Sequence, residues 1–355
     1  MRARHILVGA VTAVLAATGI SSGHVKYVSE EGEELDPLGF LLSTLSEPLS
    51  ALLLGGGALG VAVVVALYVR FRPLQIDMVA ARRALRTYRD LIPWMLRLSV
   101  GLPLVGAGYN GYLFSPVVTP ETDIAVRLFG IGVGFLLLFG FATRLVAGIG
   151  LAGYLVGLVI DPRVLLAFEY LPAFVAIVLV GGGRPSADHM IHQVADDGRT
   201  LYSRLDPIHL RVVEPFRTRI EPYRSLAPTV IRVGLGIAFI YLGLVEKLLS
   251  PAQSLAVVAK YDLTAVAPVP PELWVVGAGM TEIVLGLVLI AGLLTRGAAA
   301  VAFVMFTITL FGLPDDPVLA HVSLFGLASV LLVTGSGPFA IDGRFRWHNE
   351  ASLTD

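Results

Sequence analysis

Between Leu49 and Val69 the chain carries no charged side chain, and Gly55, Gly56 and Gly57 stand in the middle of the run. About 20 consecutive apolar residues in a helix cross the hydrocarbon core of a bilayer. In lipid a backbone must satisfy its own hydrogen bonds, so the spanning structures open to a chain are helices and closed barrels. This run is helix-length, and it is one of a series. Further apolar runs fall at 93–114, 124–141, 145–160, 164–180, 228–249, 273–294, 297–312 and 317–333. Composition agrees: 55% of residues are hydrophobic and 15% charged, with mean hydropathy +0.79, where a soluble domain carries about 25% charged residues. The reading is an all-α polytopic membrane protein.

The charges are segregated, and that gives an expected topology. Arg70, Arg72, Arg82, Arg83, Arg86 and Arg89 crowd one short segment, the mark of a cytoplasmic loop. Residues 76–91 also show helical periodicity, as expected of a helix lying along the inner surface. Residues 181–227 carry Arg184, Arg199, Arg204, Arg211, Arg217, Arg219 and Arg224 with a partial balance of acids. They read as a cytoplasmic linker, too rich in proline and glycine for a domain with its own core. Arg144, Arg344 and Arg346 fall on the same side by alternation. The short acidic joints Asp161-Pro162 and Pro314–Pro317, and the proline-rich stretch 250–272, fall outside. At the start, Arg2 and Arg4 precede an apolar run at 6–20 that reads either as a signal peptide or as a retained first span. The segment 23–36, with Glu30, Glu31, Glu33, Glu34 and Asp36, reads as a solvated outer loop. The expected arrangement is about ten spans in the cell membrane with both termini cytoplasmic.

The net charge of −1 offers no case for a nucleic-acid partner. Cysteine is absent. Disulfides, thiolate nucleophiles and cysteine-ligated iron–sulfur clusters are thereby excluded.

Two stretches of the chain match each other. Pro93, Arg97 and Gly101 match Pro228, Arg232 and Gly236, and Gly108 with Ser115-Pro116 matches Gly243 with Ser250-Pro251. Gly134, Gly140 and Thr143-Arg144 match Gly286, Gly292 and Thr295-Arg296; Gly181, Gly183 and Asp188 match Gly335, Gly337 and Asp342. Each copy has an even number of spans, so the copies would enter the membrane in the same orientation. The expected organisation is an N-terminal anchor with its acidic outer loop and basic inner segment (1–90), a first four-helix module (91–190), a linker (191–226), a second four-helix module (227–346) and a tail (347–355). The fold is then two tandem up-down bundles plus two N-terminal transmembrane helices.

The second module resembles the DoxX/DoxD-like family of small four-helix membrane proteins. The resemblance rests on Arg232 with Gly243 and Lys247, on the series Glu282, Gly286, Gly292, Thr295-Arg296, and on Gly335, Gly337, Pro338 and Asp342. It covers residues 227–345 and, more loosely, 91–189. It implies an integral membrane subunit of a quinone-linked oxidoreductase, thiosulfate:quinone oxidoreductase among them, or a membrane partner of redox-stress enzymes. The first copy departs from the pattern, with Gly130 in place of Glu282 and Tyr112 in place of Lys247.

An ionisable side chain at membrane depth costs a few kcal/mol, so it is paired or functional. The second module offers Glu246, Lys247, Glu282 and His321. Lys247 or His321 can donate to a quinone carbonyl and Glu282 can accept a proton, which makes these three the candidate catalytic residues. The competing reading is a Glu282–Lys247 or Glu282–His321 pair that pins helices, with Arg232 snorkelling to the inner interface. In the first module Tyr109, Asn110 and Glu169 are the polar residues within spans. Haem ligation by two histidines finds only His321 at depth, and a metal site meets the same shortage. His189 and His192 read as a solvated pair. No cofactor is expected in the chain itself; a membrane quinone and a redox-enzyme subunit are the expected partners, besides the lipid bilayer. Two rival functions stand beside this one: a carrier or channel for a small solute between the modules, and a structural or assembly protein.

Overall fold

The computed structural model describes residues 35–71, 75–120, 123–196 and 214–344. The apolar run at 6–20, the acids Glu30 to Glu34 and the tail at 347–355 lie outside the described residues. Among those described, the chain is helical with no strand. The helices are α1 (Pro37–Ser46), α2 (Pro48–Phe71), α3 (Gln75–Arg86), α4 (Ile92–Asn110), α5 (Asp123–Phe139), α6 (Thr143–Ile160), α7 (Tyr170–Val180), α8 (Ala187–Asp196), α9 (Glu214–Ile220), α10 (Ala227–Tyr241), α11 (Pro251–Lys260), α12 (Leu263–Val266), α13 (Pro271–Ala291), α14 (Thr295–Gly312), α15 (Val318–Thr334) and α16 (Ile341–Arg344). Among the described residues six helices are long and apolar enough to cross a membrane, and α1, α5, α7 and α15 are shorter apolar helices.

Each expected span that falls within the described residues is helical, with local differences that have local causes. The span placed at 164–180 begins as a 3-10 turn, Pro162–Ala167, and becomes α-helix only at Tyr170. Pro172 has no N–H to give, so it is tolerated only in the first turn of a helix, and the helix starts just before it. Glu169 is therefore the N-cap of α7 rather than a residue inside a span. The span placed at 228–249 is α10 followed by a π-helical turn, Leu242–Leu248. The outer stretch 250–272, read as a loop, is mostly helical. Pro251 starts α11, which buries Ser254, Val257 and Val258 on one face. Asp36, read as part of a solvated acidic loop, caps α1 by accepting from the backbone N–H groups of Leu38 (3.2 Å) and Gly39 (2.8 Å).

The eight helices from α4 to α15 that lie in the two matching stretches share one core. Within each half the first two long helices pack antiparallel through close glycine contacts. Across the halves the packing is exchanged: α15 lies on α4, and α7 lies on α10. Thus α4, α7, α10 and α15 form the centre, while α5, α6, α13 and α14 stand outside. One hydrophobic cluster runs through both halves, from Leu96, Leu104, Tyr154 and Phe174 to Leu235, Leu289, Leu327 and Leu331. The anchor is attached loosely. Of the placed side chains of α2 only Ser50 is buried, whereas α1 packs on α13 and α3 on α15.

One close helix approach, in the first half, rests on glycine against backbone. A Cβ on Gly130 would lie 2.9 Å from the Cα and N of Gly108 and from the carbonyl oxygen of Leu104. Those are backbone atoms, which cannot swing aside. Gly130→Ala is therefore expected to destabilise the fold by about 1–3 kcal/mol. Gly132→Ala, where a Cβ meets nothing within 4 Å, should be neutral or stabilising by up to about 1 kcal/mol. Detergent-unfolding curves of the two variants check this; equal midpoints would refute the close-packed contact.

Candidate functional site

Helix-end chemistry dominates one end of the molecule, which we call the basic end. The last carbonyls of a helix have no partner within it, and a cation is favoured there. Four arginines supply what is missing. Arg97 donates to Leu137 and Leu138 at the end of α5 (3.3 and 3.2 Å) and to Pro185. Arg144 donates to Val178 and Leu179 at the end of α7 (3.0 and 3.4 Å). In the second half Arg232 reaches Leu289 (3.1 Å) and Ile290 at the end of α13, and also Ser336, Pro338 and Phe339. Arg296 donates to Leu332 and Val333 at the end of α15 (2.9 and 3.2 Å). Arg232 does not snorkel to the interface as expected; its residue is only 1% exposed, because five carbonyls hold it inside.

Carboxylates do the converse job at helix starts. Asp188 accepts from the N–H groups of Ala142 (2.6 Å) and Thr143 (2.8 Å) at the start of α6. Asp342 accepts from Leu294 (2.7 Å) and Thr295 (2.9 Å) at the start of α14. Gly140 and Gly292 both have φ +67 immediately before these starts. The Thr-Arg pairs and the glycine-to-aspartate segments picked out in the sequence are thus devices that close the basic end.

The candidate catalytic residues lie toward the other end. Glu282 is near the middle of α13 (Pro271–Ala291). Lys247 comes from the π-helical turn, a geometry that often marks functional positions. The Lys247 Nζ donates to both oxygens of Glu282, at 2.8 and 2.7 Å. Their side chains are 19% and 13% exposed, so the pair is enclosed but not sealed. The first half has no counterpart, since Tyr112 and Gly130 occupy the matching positions.

His321 is not the partner of Glu282. It lies near the start of α15, buried, with Nε2 3.5 Å from Oδ2 of Asp316 and Nδ1 3.3 Å from the carbonyl of Pro317. Asp316, in the turn at 314–317, is marked by its place just ahead of this buried histidine. Glu246, beside Lys247, is fully buried, and its carbonyl accepts from Ser254 of α11 (2.9 Å). Glu169 joins the halves: Ser323 of α15 donates to it at 3.2 Å. Nearby, Leu165, Phe168, Glu169, Tyr241, Leu242 and Leu324 line a cavity of about 10 Å³, room for a single water. On the exposed surface Asp315 accepts from Tyr261 and pairs with Lys260, each at 2.8 Å. The Lys260 hydrogen bond holds the Asp315 carboxyl below its ordinary range. Of the remaining candidates, His192 meets Arg217, and Tyr109 and Asn110 are exposed at the end of α4. Among the described residues no three His, Cys, Asp or Glu side chains group closely enough to hold a metal ion.

Residues 227–314 match the DoxX family model. The match takes in Arg232, Lys247, Glu282 and Thr295-Arg296 and ends before His321. No curated protein and no solved structure matches the chain.

Proposed function

Because this chain is a DoxX-like integral membrane protein, we propose that it serves as the membrane-embedded subunit of a quinone-linked redox complex, with the quinone head group held at Lys247 and Glu282. The observation that carries this reading is the pair itself: a bidentate lysine–carboxylate contact at membrane depth, partly open, built on a π-helical turn. Leu244, Met280 and Val284 on the same two elements are exposed, which suits a ligand arriving from the lipid. Lys247 would donate a hydrogen bond to a quinone carbonyl, and Glu282 would give or take the proton that accompanies reduction or oxidation. The chain holds no cysteine, so the electrons would pass through a partner subunit carrying its own redox group. We place the basic end in the cytoplasm of a cell membrane, by the distribution of arginine, and both termini on that side. We also read the two halves as copies of one DoxX-like module, supported by the arginine and aspartate contacts that recur at matching positions. The first copy lost the ionisable pair and kept the scaffold.

Quinone content tests the proposal. The protein would be purified from native membranes in mild detergent and its quinone extracted and weighed by mass spectrometry. Loss of one charge-assisted hydrogen bond is worth about 1.5–3 kcal/mol, so Glu282→Gln and Lys247→Met should each lower the bound quinone by about tenfold or more. A variant that stays folded with unchanged quinone content sinks the proposal. The second reading, favoured by the bidentate geometry, is that the pair only pins α13 to the end of α10. It predicts lost stability without a quinone effect.

A further inference from the structure

Arg144 and Arg296 cap helix ends in the same way and both have arginines nearby, Arg217 and Arg224 in the case of Arg144, but only Arg144 has an acid beside it beyond the helix-start aspartate. Around Arg144 the linker supplies an acid. Glu221 Oε2 is 3.8 Å from Arg144 Nη2, and Glu221 Oε1 is 3.5 Å from Arg224. Around Arg296 the neighbouring charges are Arg82, Arg86 and Arg89, with Asp342 the one carboxylate in reach. Asp342 is already committed to the start of α14.

The arginines come from α3 and the turn after it. Helix α3 begins four residues past the end of α2, Phe71 to Gln75, so the chain holds it at the membrane face. It packs against α15, with Met78, Val79 and Leu85 part-buried and Arg83, Arg86 and Arg89 exposed. The described residues give Arg83, Arg86 and Arg89 no carboxylate partner; Asp77 and Asp90 form no ion pair with them. Like charges held together at a membrane surface call for an anion.

We propose that Arg83, Arg86 and Arg89 bind the phosphate of an anionic lipid headgroup, and that through Arg86 and Arg89, the two of the three near Arg296, it takes the neutralising place in the second half that Glu221 holds in the first. The lipid is the source that fits. A headgroup phosphate lies at the level of an interfacial helix, and guanidinium groups match its oxygens with paired N–H donors. Bound there, it fastens α3 to α15, the central helix that carries His321 and Ser323.

The full chain would be delipidated, returned to nanodiscs holding phosphatidylcholine with a minority of phosphatidylglycerol, and released for native mass spectrometry. The wild type should retain phosphatidylglycerol over phosphatidylcholine by at least tenfold, since each surface arginine contributes about a factor of five. The Arg83→Gln/Arg86→Gln/Arg89→Gln variant should lose that preference. The Arg217→Gln/Arg219→Gln/Arg224→Gln variant, altered beneath the first half, should keep it. Should the first triple variant not fold, Arg83→Gln and Arg89→Gln alone should each weaken the preference severalfold, and added salt should do the same in the wild type. An unchanged preference in the arginine variants overturns the proposal. So does stabilisation by inorganic phosphate equal to that by phosphatidylglycerol, which would mark an anion site indifferent to lipid.

Discussion

Arg232→Lys is expected to destabilise the folded chain by about 3 kcal/mol, although it keeps the charge. The guanidinium of Arg232 serves five carbonyls, those of Leu289, Ile290, Ser336, Pro338 and Phe339. They lie in two directions, the end of α13 and the segment after α15, and a planar fork reaches both. An ammonium group is a compact donor and cannot span them, so several buried carbonyls would be left unpaired at about 1–3 kcal/mol each, less what relaxation and water recover. Arg163→Lys gives the comparison. Arg163 pairs with Asp161 at 2.7 Å on an exposed turn, where an ion pair contributes about 0–1 kcal/mol. Chemical unfolding in a fixed detergent, followed by circular dichroism, checks both. If Arg232→Lys unfolds at the wild-type midpoint, the buried arginine does not hold the basic end together.

Lys247 and Glu282 should show strong non-additivity. Either Lys247→Met or Glu282→Gln alone leaves one enclosed group without its partner, at a cost of about 3 kcal/mol. The double variant Lys247→Met/Glu282→Met removes both charges and should cost clearly less than the sum, a coupling on the order of 1–3 kcal/mol. In the matching stretch of the sequence Tyr112 and Gly130 align with Lys247 and Glu282 and offer no ion pair. Unfolding curves of the wild type, the two single variants and the double give the coupling directly. Single variants within about 0.5 kcal/mol of wild type would mean that the pair is solvated and neither pins nor poises anything. A stable double variant that no longer retains quinone would separate the chemical role from the packing role.

The sequence by itself determined the class and the spans. Apolar length is a local property, and a helix in lipid answers to it residue by residue. The runs at 273–294 and 297–312 therefore appear as α13 and α14, with ends within three residues of those expected. Segregated arginines marked the basic end, and the series from Glu282 to Arg296 marked the DoxX-like half. Local signals also mark two helix starts within stretches read as loops, Asp36 before Pro37 and Pro251 after Ser250.

What tertiary structure alone decided are the choices of partner. The arginines at 97, 144, 232 and 296 bind backbone carbonyls, and every residue type offers one, so no side-chain pattern names the acceptor. The exchange that lays α15 on α4 and α7 on α10 joins segments far apart in the chain, where periodicity carries no information. The same distance hid the division of the acids, Glu282 to Lys247, Asp316 to His321 and Glu169 to Ser323. Spacing along a helix gives a side chain's depth, but which of several buried partners it meets depends on how the helices turn to face one another.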